Sequence, residues 1–217
     1  MKQNNPGIPE IRTGEVLKMK VIGVTGGVGA GKSEILTYIA ENWDAAVVET
    51  DEVGYLVMRP GKSCFAPIVE LFGPGILQED GTLDRAKIAE LVFGDKELLE
   101  KLNAIVHPAV KRYIQKAIDR ERELDTDIFI VESALLVEDK YNAICDELWY
   151  IYADEETRTE RLMKNRGYSK EKILSIFANQ LSEDEFSEQC DFEIDNSGDF
   201  EDTKEQIKRR MQMYETV

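Results

Sequence analysis

Eight consecutive residues in this chain, Gly26, Gly27, Val28, Gly29, Ala30, Gly31, Lys32 and Ser33, fit G-x-x-x-x-G-K-[ST] in full. The spacing has a chemical meaning. Glycines let a backbone curl so that successive N–H groups point inward, and a helix starting at the lysine adds the partial positive charge of its free N-terminus, so the turn suits phosphate. Lys32 is placed for the β- and γ-phosphates of a nucleotide, and the Ser33 hydroxyl is the candidate Mg2+ ligand. Glu34 sits awkwardly, because a carboxylate beside bound phosphate is unfavourable; its backbone N–H is expected to take part, with the side chain turned to solvent. A plain glycine turn with an incidental lysine would need neither Lys-Ser at its end nor flanking elements of the right kind. Those elements are present: Lys20-Val-Ile-Gly-Val24 reads as a strand, and Ile35, Leu36 and Ile39 fall at helical spacing.

Other residues suggest acid–base and charge-neutralising work. Asp51 lies just past a second strand, Ala45–Glu49, where open α/β sheets place ligand-facing groups; the competing reading is an N-cap for a helix opening at Glu52. Arg158 and Arg161 share one face of a charged helix ending at Gly167, with Arg166 near its end. Glu155, Glu156 and Glu160 between them also suit a solvated, salt-bridged helix, and Arg158 is the first choice for a phosphate contact. His107 is the only histidine, and Pro108 after it predicts an extended His107 followed by a new helix that starts with proline. Asn196, in an Asn-Ser-Gly turn, is a candidate hydrogen-bond partner for an adenine, although such a turn needs no ligand.

These groups need a frame. At 217 residues with 42% hydrophobic content the chain holds one sizeable core and little more. Strands resume at Asp127–Val131, Glu147–Tyr152 and Phe192–Asp195, and their alternation with helices predicts an α/β fold with a parallel sheet. The expected layout is a tail over 1–18, then a single domain over 19–217. Its core covers about 19–51, 125–153 and 190–217, with a helical lobe at about 52–124 and a lid of short polar helices at about 154–189. Asp154, Ser169 and Ser182, the last with Glu185 three residues on, are the predicted helix starts in the lid. Trp43, Trp149, Tyr150 and Tyr152 are expected to pack.

A net charge of −16 disfavours nucleic-acid binding, which gains affinity from basic surface. The chain lacks both a C-x-x-C pair and an apolar run of bilayer length. A cytoplasmic protein with a small-molecule substrate, and no membrane or nucleic-acid partner, is therefore expected. Oligomeric state is not legible, a monomer being the simplest case.

From Lys20 to about Tyr214 the chain resembles the dephospho-coenzyme A kinase family. The resemblance is carried by Val24-Thr-Gly-Gly-Val-Gly-Ala-Gly-Lys-Ser33, by Glu49-Thr-Asp51, and by Gly81-Thr-Leu-Asp-Arg85 followed by Val92-Phe93. It continues through Leu102-Asn-Ala-Ile-Val-His-Pro108, Ser133-Ala-Leu-Leu-Val-Glu138, the arginine-bearing lid from Arg158 to Gln180, and Asp195-Asn196 with Gly198. Departures are Ala134 for a usual proline, Val137 for phenylalanine, and Glu49 for the first aspartate of a pair; the tail has no counterpart, which makes Met19 a candidate start. The resemblance implies a P-loop three-layer sandwich with a parallel sheet, a helical substrate-binding insertion and a helical lid. It further implies an ATP- and Mg2+-dependent kinase acting on the ribose 3'-hydroxyl of dephospho-coenzyme A. In that setting Asp51, Lys32 and Arg158 are catalytic, Arg85, His107 and Asp51 meet the acceptor, and Asn196 and the loop meet the donor. Two rivals remain: another small-molecule or nucleoside monophosphate kinase of the same architecture, and a nucleotide-dependent switch, although no N-K-x-D motif follows the strands.

Overall fold

Runs rich in valine, isoleucine and aromatics form the strands, because branched and aromatic side chains fit a pleated surface covered on both faces. The computed structural model describes residues 19–215; the predicted tail over 1–18 lies outside them. In chain order the elements are β1 (Lys20–Thr25), α1 (Lys32–Asn42), β2 (Ala45–Glu49), α2 (Thr50–Val57), α3 (Phe65–Phe72), α4 (Arg85–Val92) and α5 (Lys96–Glu123). Then come β3 (Ile128–Glu132), β4 (Glu147–Tyr152), α6 (Glu155–Arg166), α7 (Lys170–Phe177), α8 (Glu183–Gln189), β5 (Phe192–Asp195) and α9 (Phe200–Glu215).

The five strands pair in the order β2-β3-β1-β4-β5, every pair parallel. A parallel sheet brings all strand carboxyl ends to one rim. The chain leaves β1 toward β2 and β3 on one side and returns to β4 and β5 on the other, so the switch in winding direction falls beside the end of β1, where such sheets open a cleft.

Side chains alternate between two cores, as a period of two requires. Val21, Phe129, Val131 and Leu148 face α2, α3 and α5, packing with Val53, Ile68, Ile114 and Ile118. Ile22, Ile130, Trp149 and Ile151 face the other way onto Ile35 and Ile39 of α1 and onto Ile207 and Met211 of α9. Trp149, expected in the core, is fully buried.

Four α-helices and a short 3-10 helix, Pro74–Ile76, fill the stretch between β2 and β3, and one expectation there is overturned. His107 is not extended and Pro108 starts no helix: α5 runs unbroken from Lys96 to Glu123 with Pro108 inside it. An interior proline removes one backbone hydrogen bond and crowds the preceding turn. Here Ala109, Val110, Ile114 and Ile118 are buried just beyond it, and their packing holds the helix across the defect. In the lid, Asp154, Ser169 and Ser182 cap α6, α7 and α8, and Ser182 with Glu185 closes a full capping box.

Candidate active site

The loop between β1 and α1 is shaped by what crowds it. At Gly31, φ is +91° and a Cβ would lie 2.3 Å from the Asn196 side-chain nitrogen; at Gly27 a Cβ would lie 2.5 Å from the Arg158 guanidinium carbon. The positive φ at Gly31 calls for glycine, whereas a side chain at Gly27 would require the Arg158 guanidinium to move. Lys32 opens α1, and its Nζ donates to the Gly26 carbonyl at 2.9 Å. Ser33 and Glu34 are exposed in the same first turn. The Glu34 N–H, expected to serve phosphate, donates to the Gly31 carbonyl at 3.1 Å.

Lys32 has a second neighbour that the sequence reading passed over. Glu132 ends β3, opposite Val24 in the parallel register, and its Oε1 lies 3.5 Å from the Lys32 ammonium with both side chains largely buried. Burial, first of all, pushes the Glu132 carboxyl above its ordinary range; Lys32 opposes this, while Asp51 and Glu49 add to it. That mutual influence puts three carboxylates and one ammonium around the end of β1.

Asp51 lies in the first turn of α2. The competing cap reading fails there, because the helix begins at Thr50 and its N-cap is Glu49, without a side-chain cap bond. Asp51 instead is exposed and lines a cleft of about 200 Å³ shared with Tyr55, His107, Ser133, Asp139 and Tyr141. His107 reaches Asp139, Nδ1 to Oδ1, at 2.9 Å. Arg85 follows the N-cap Asp84, and its guanidinium stacks 3.4 Å above the Tyr55 ring, so it meets the cleft through that ring.

Across the loop, α6 brings in the arginines. Arg158 is buried, at 8% exposure, which removes the solvated-helix reading for this residue. Its Nε donates to the Val28 carbonyl at 3.1 Å, its Nη2 to Gln180 Oε1 at 2.8 Å, and the guanidinium stacks over Phe177. Gln180 Oε1 also accepts the Val28 N–H at 3.3 Å. Arg161 donates to the carbonyls of Ala30 and Asn196; Arg166 is exposed at the far end of α6.

Asn196 differs from its expected use. It is buried at 1% exposure, its amide nitrogen donates to the Ala30 carbonyl at 2.7 Å, and its amide oxygen accepts from Thr203 at 2.9 Å. Each end of the amide has a partner inside the fold, so the side chain braces the loop against α9. Glu132, Tyr55, Asp139 and Gln180 were not singled out from the sequence. The position of Glu132 at a strand end was the one available signal, and nothing local marks the others.

The model of the dephospho-CoA kinase family matches residues 20–202. A dephospho-CoA kinase of Carboxydothermus hydrogenoformans is 35% identical over 199 residues, covering 92% of this chain and 96% of the relative. One of Aquifex aeolicus is 39% identical over 191 residues, covering 88% and 95%. Among solved structures, TT1252 from Thermus thermophilus superposes with a TM-score of 0.76 at 28% identity, over 90% of this chain and 97% of that one. A loop built for phosphate, a carboxylate-rimmed cleft beside it, and a match along nearly the whole fold agree: this chain belongs to the dephospho-CoA kinase family.

Proposed function

We propose that this chain transfers the γ-phosphoryl group of ATP to the ribose 3'-hydroxyl of 3'-dephospho-coenzyme A, giving coenzyme A and ADP in the cytoplasm. The observation that carries the reading is the placement of Asp51 and the Lys32 loop at one rim of the sheet, electrostatically coupled through Glu132. Phosphoryl transfer demands an in-line approach and neutralised charge. Asp51 takes the proton of the acceptor hydroxyl as the new O–P bond forms and the bond to the β-phosphate oxygen breaks, leaving ADP. Lys32 exchanges the Gly26 carbonyl for the phosphates, and Arg158 faces the loop from the lid side. Arg85 and Tyr55 flank the acceptor, with His107 opposite.

Among the described residues no group of three or more His, Cys, Asp or Glu side chains forms a metal cage. Mg2+ is commonly held by few protein groups together with substrate phosphates. Ser33, exposed in the first turn of α1, would be its protein ligand. The ion supplies charge neutralisation at the β- and γ-oxygens when bound.

The test is an ADP-release assay offering dephospho-coenzyme A, adenosine, nucleoside monophosphates and gluconate in parallel. Release stimulated by dephospho-coenzyme A is expected; stimulation by another acceptor would favour a different small-molecule kinase, and none at all a switch. EDTA should abolish release and added Mg2+ restore it. Asp51→Asn should lower kcat by roughly 100- to 10,000-fold, the range for loss of a general base, with the KM for ATP little changed. Unchanged turnover would strike Asp51 from the mechanism.

A further inference from the structure

Asp139 sits in the loop after β3, across the cleft from α5. Its backbone is held without help from its side chain: the N–H donates to the Leu135 carbonyl at 2.9 Å, and the carbonyl accepts from the Lys111 ammonium, one turn beyond His107 on α5. The carboxylate is therefore free for one task, and it is spent on His107 Nδ1 at 2.9 Å. With the carboxylate accepting, the proton of this bond belongs to Nδ1, and the tautomer so fixed carries its lone pair on Nε2. His107 lines the cleft together with Asp51, Tyr55 and Tyr141, and Nε2 is its remaining polar atom.

We infer that Asp139 is a positioning residue that fixes the His107 ring, making Nε2 a hydrogen-bond acceptor for an O–H or N–H donor of the phosphoryl acceptor. The inference rests on the acceptor reading of the cleft. The reacting 3'-hydroxyl gives its proton to Asp51, which leaves two donors of the acceptor's nucleoside end with the required chemistry, the ribose 2'-hydroxyl and the exocyclic amino group. Such a contact contributes to selecting the acceptor and nothing to holding ATP, whose loop lies at the end of β1.

The experiment uses the full chain with His107→Ala, Asp139→Ala, Asp139→Asn and the double alanine variant, following KM for dephospho-coenzyme A and for ATP together with Tm. Each single alanine change is expected to raise the acceptor KM by about tenfold, the effect of one lost hydrogen bond, with the ATP KM within about twofold. The double variant should resemble the single ones, because both remove the same contact. Asp139→Asn, whose amide oxygen still accepts from Nδ1, should recover most of the loss. A 2'-deoxy acceptor and one with hypoxanthine in place of adenine tell which donor is read: the analogue lacking it should no longer distinguish wild type from His107→Ala. An unchanged acceptor KM in Asp139→Ala, multiplying losses in the double variant, or both analogues still separating wild type from His107→Ala overturns the inference alone. Wild-type protein without acceptor-dependent ADP release overturns the proposed function, and this inference with it.

Discussion

A carboxylate and an ammonium buried side by side, as Glu132 and Lys32 are, can each be stripped of its partner only at a cost. If Lys32 turns to phosphate as proposed, Glu132 is left near the loop with its carboxyl already raised by burial. Glu132→Gln is expected to cut kcat by about 100-fold or more while Lys32 keeps the Gly26 carbonyl, a loss read from steady-state rates at saturating ATP. The same change has a signature in stability. A carboxyl whose folded value is raised binds more protons folded than unfolded, so its contribution declines as pH rises above the ordinary glutamate value of about 4.3. The Tm of Glu132→Gln should therefore fall less than that of the parent as pH is taken from there toward neutrality; parallel curves would mean that the carboxylate is not desolvated. The loop residues were legible because their types and spacing admit one chemistry. Glu132 was not, since a lone glutamate after an apolar run looks the same as Glu49 or Glu138, and only the pairing of β3 with β1 sets it beside the lysine.

Among the elements, local rules located helix starts well and one helix interior badly. Asp154, Ser169 and Ser182 cap their helices through local side chain–backbone bonds, which sequence alone can anticipate. Pro108 defeats the corresponding local rule because the packing that holds α5 together comes from residues distant in sequence, among them Ile68 and Phe129. Long-range contact also decided Asn196, whose turn looks free until Ala30 and Thr203 are seen against it. The end of α9 is fastened in the same way. Glu147, at 5% exposure, opens β4 and takes bonds from Arg210 at 2.7 Å, Tyr214 at 2.8 Å and the Trp149 indole at 2.9 Å, with Lys20 at 3.7 Å. Removing the buried carboxylate leaves the Trp149 indole N–H and the partly buried Arg210 and Tyr214 without their acceptor. Glu147→Ala is expected to cost about 3–5 kcal/mol of unfolding free energy, measured by denaturant titration; a loss under about 1 kcal/mol would mean that α9 is held by its apolar face alone.

Taken whole, the molecule covers both faces of an all-parallel sheet, and its three thiols share in that enclosure. Cys64 is buried, and the thiols of Cys145 and Cys190 are both pushed up to about 12 by burial above all. Alkylation needs thiolate, so native protein at pH 8 should leave these three cysteines unmodified by iodoacetamide over an hour, as mass spectrometry would register, and should take up three equivalents in denaturant. Rapid labelling of the folded protein would mean that the two cores open readily. The alternation of strand and helix made the class of fold legible, and the family resemblance extended it to the layers. The meeting of lid and loop was not legible, because it joins side chains from opposite ends of the chain. Gln180 lends its amide oxygen to both the Val28 N–H and Arg158, and this has a thermodynamic consequence. The Val28 N–H at the mouth of the loop already has a partner inside the fold, so a phosphate bound there as proposed would have to displace Gln180. Affinity for such a phosphate would then report the difference between two sets of bonds, and the release of Gln180 would carry the exchange to Arg158.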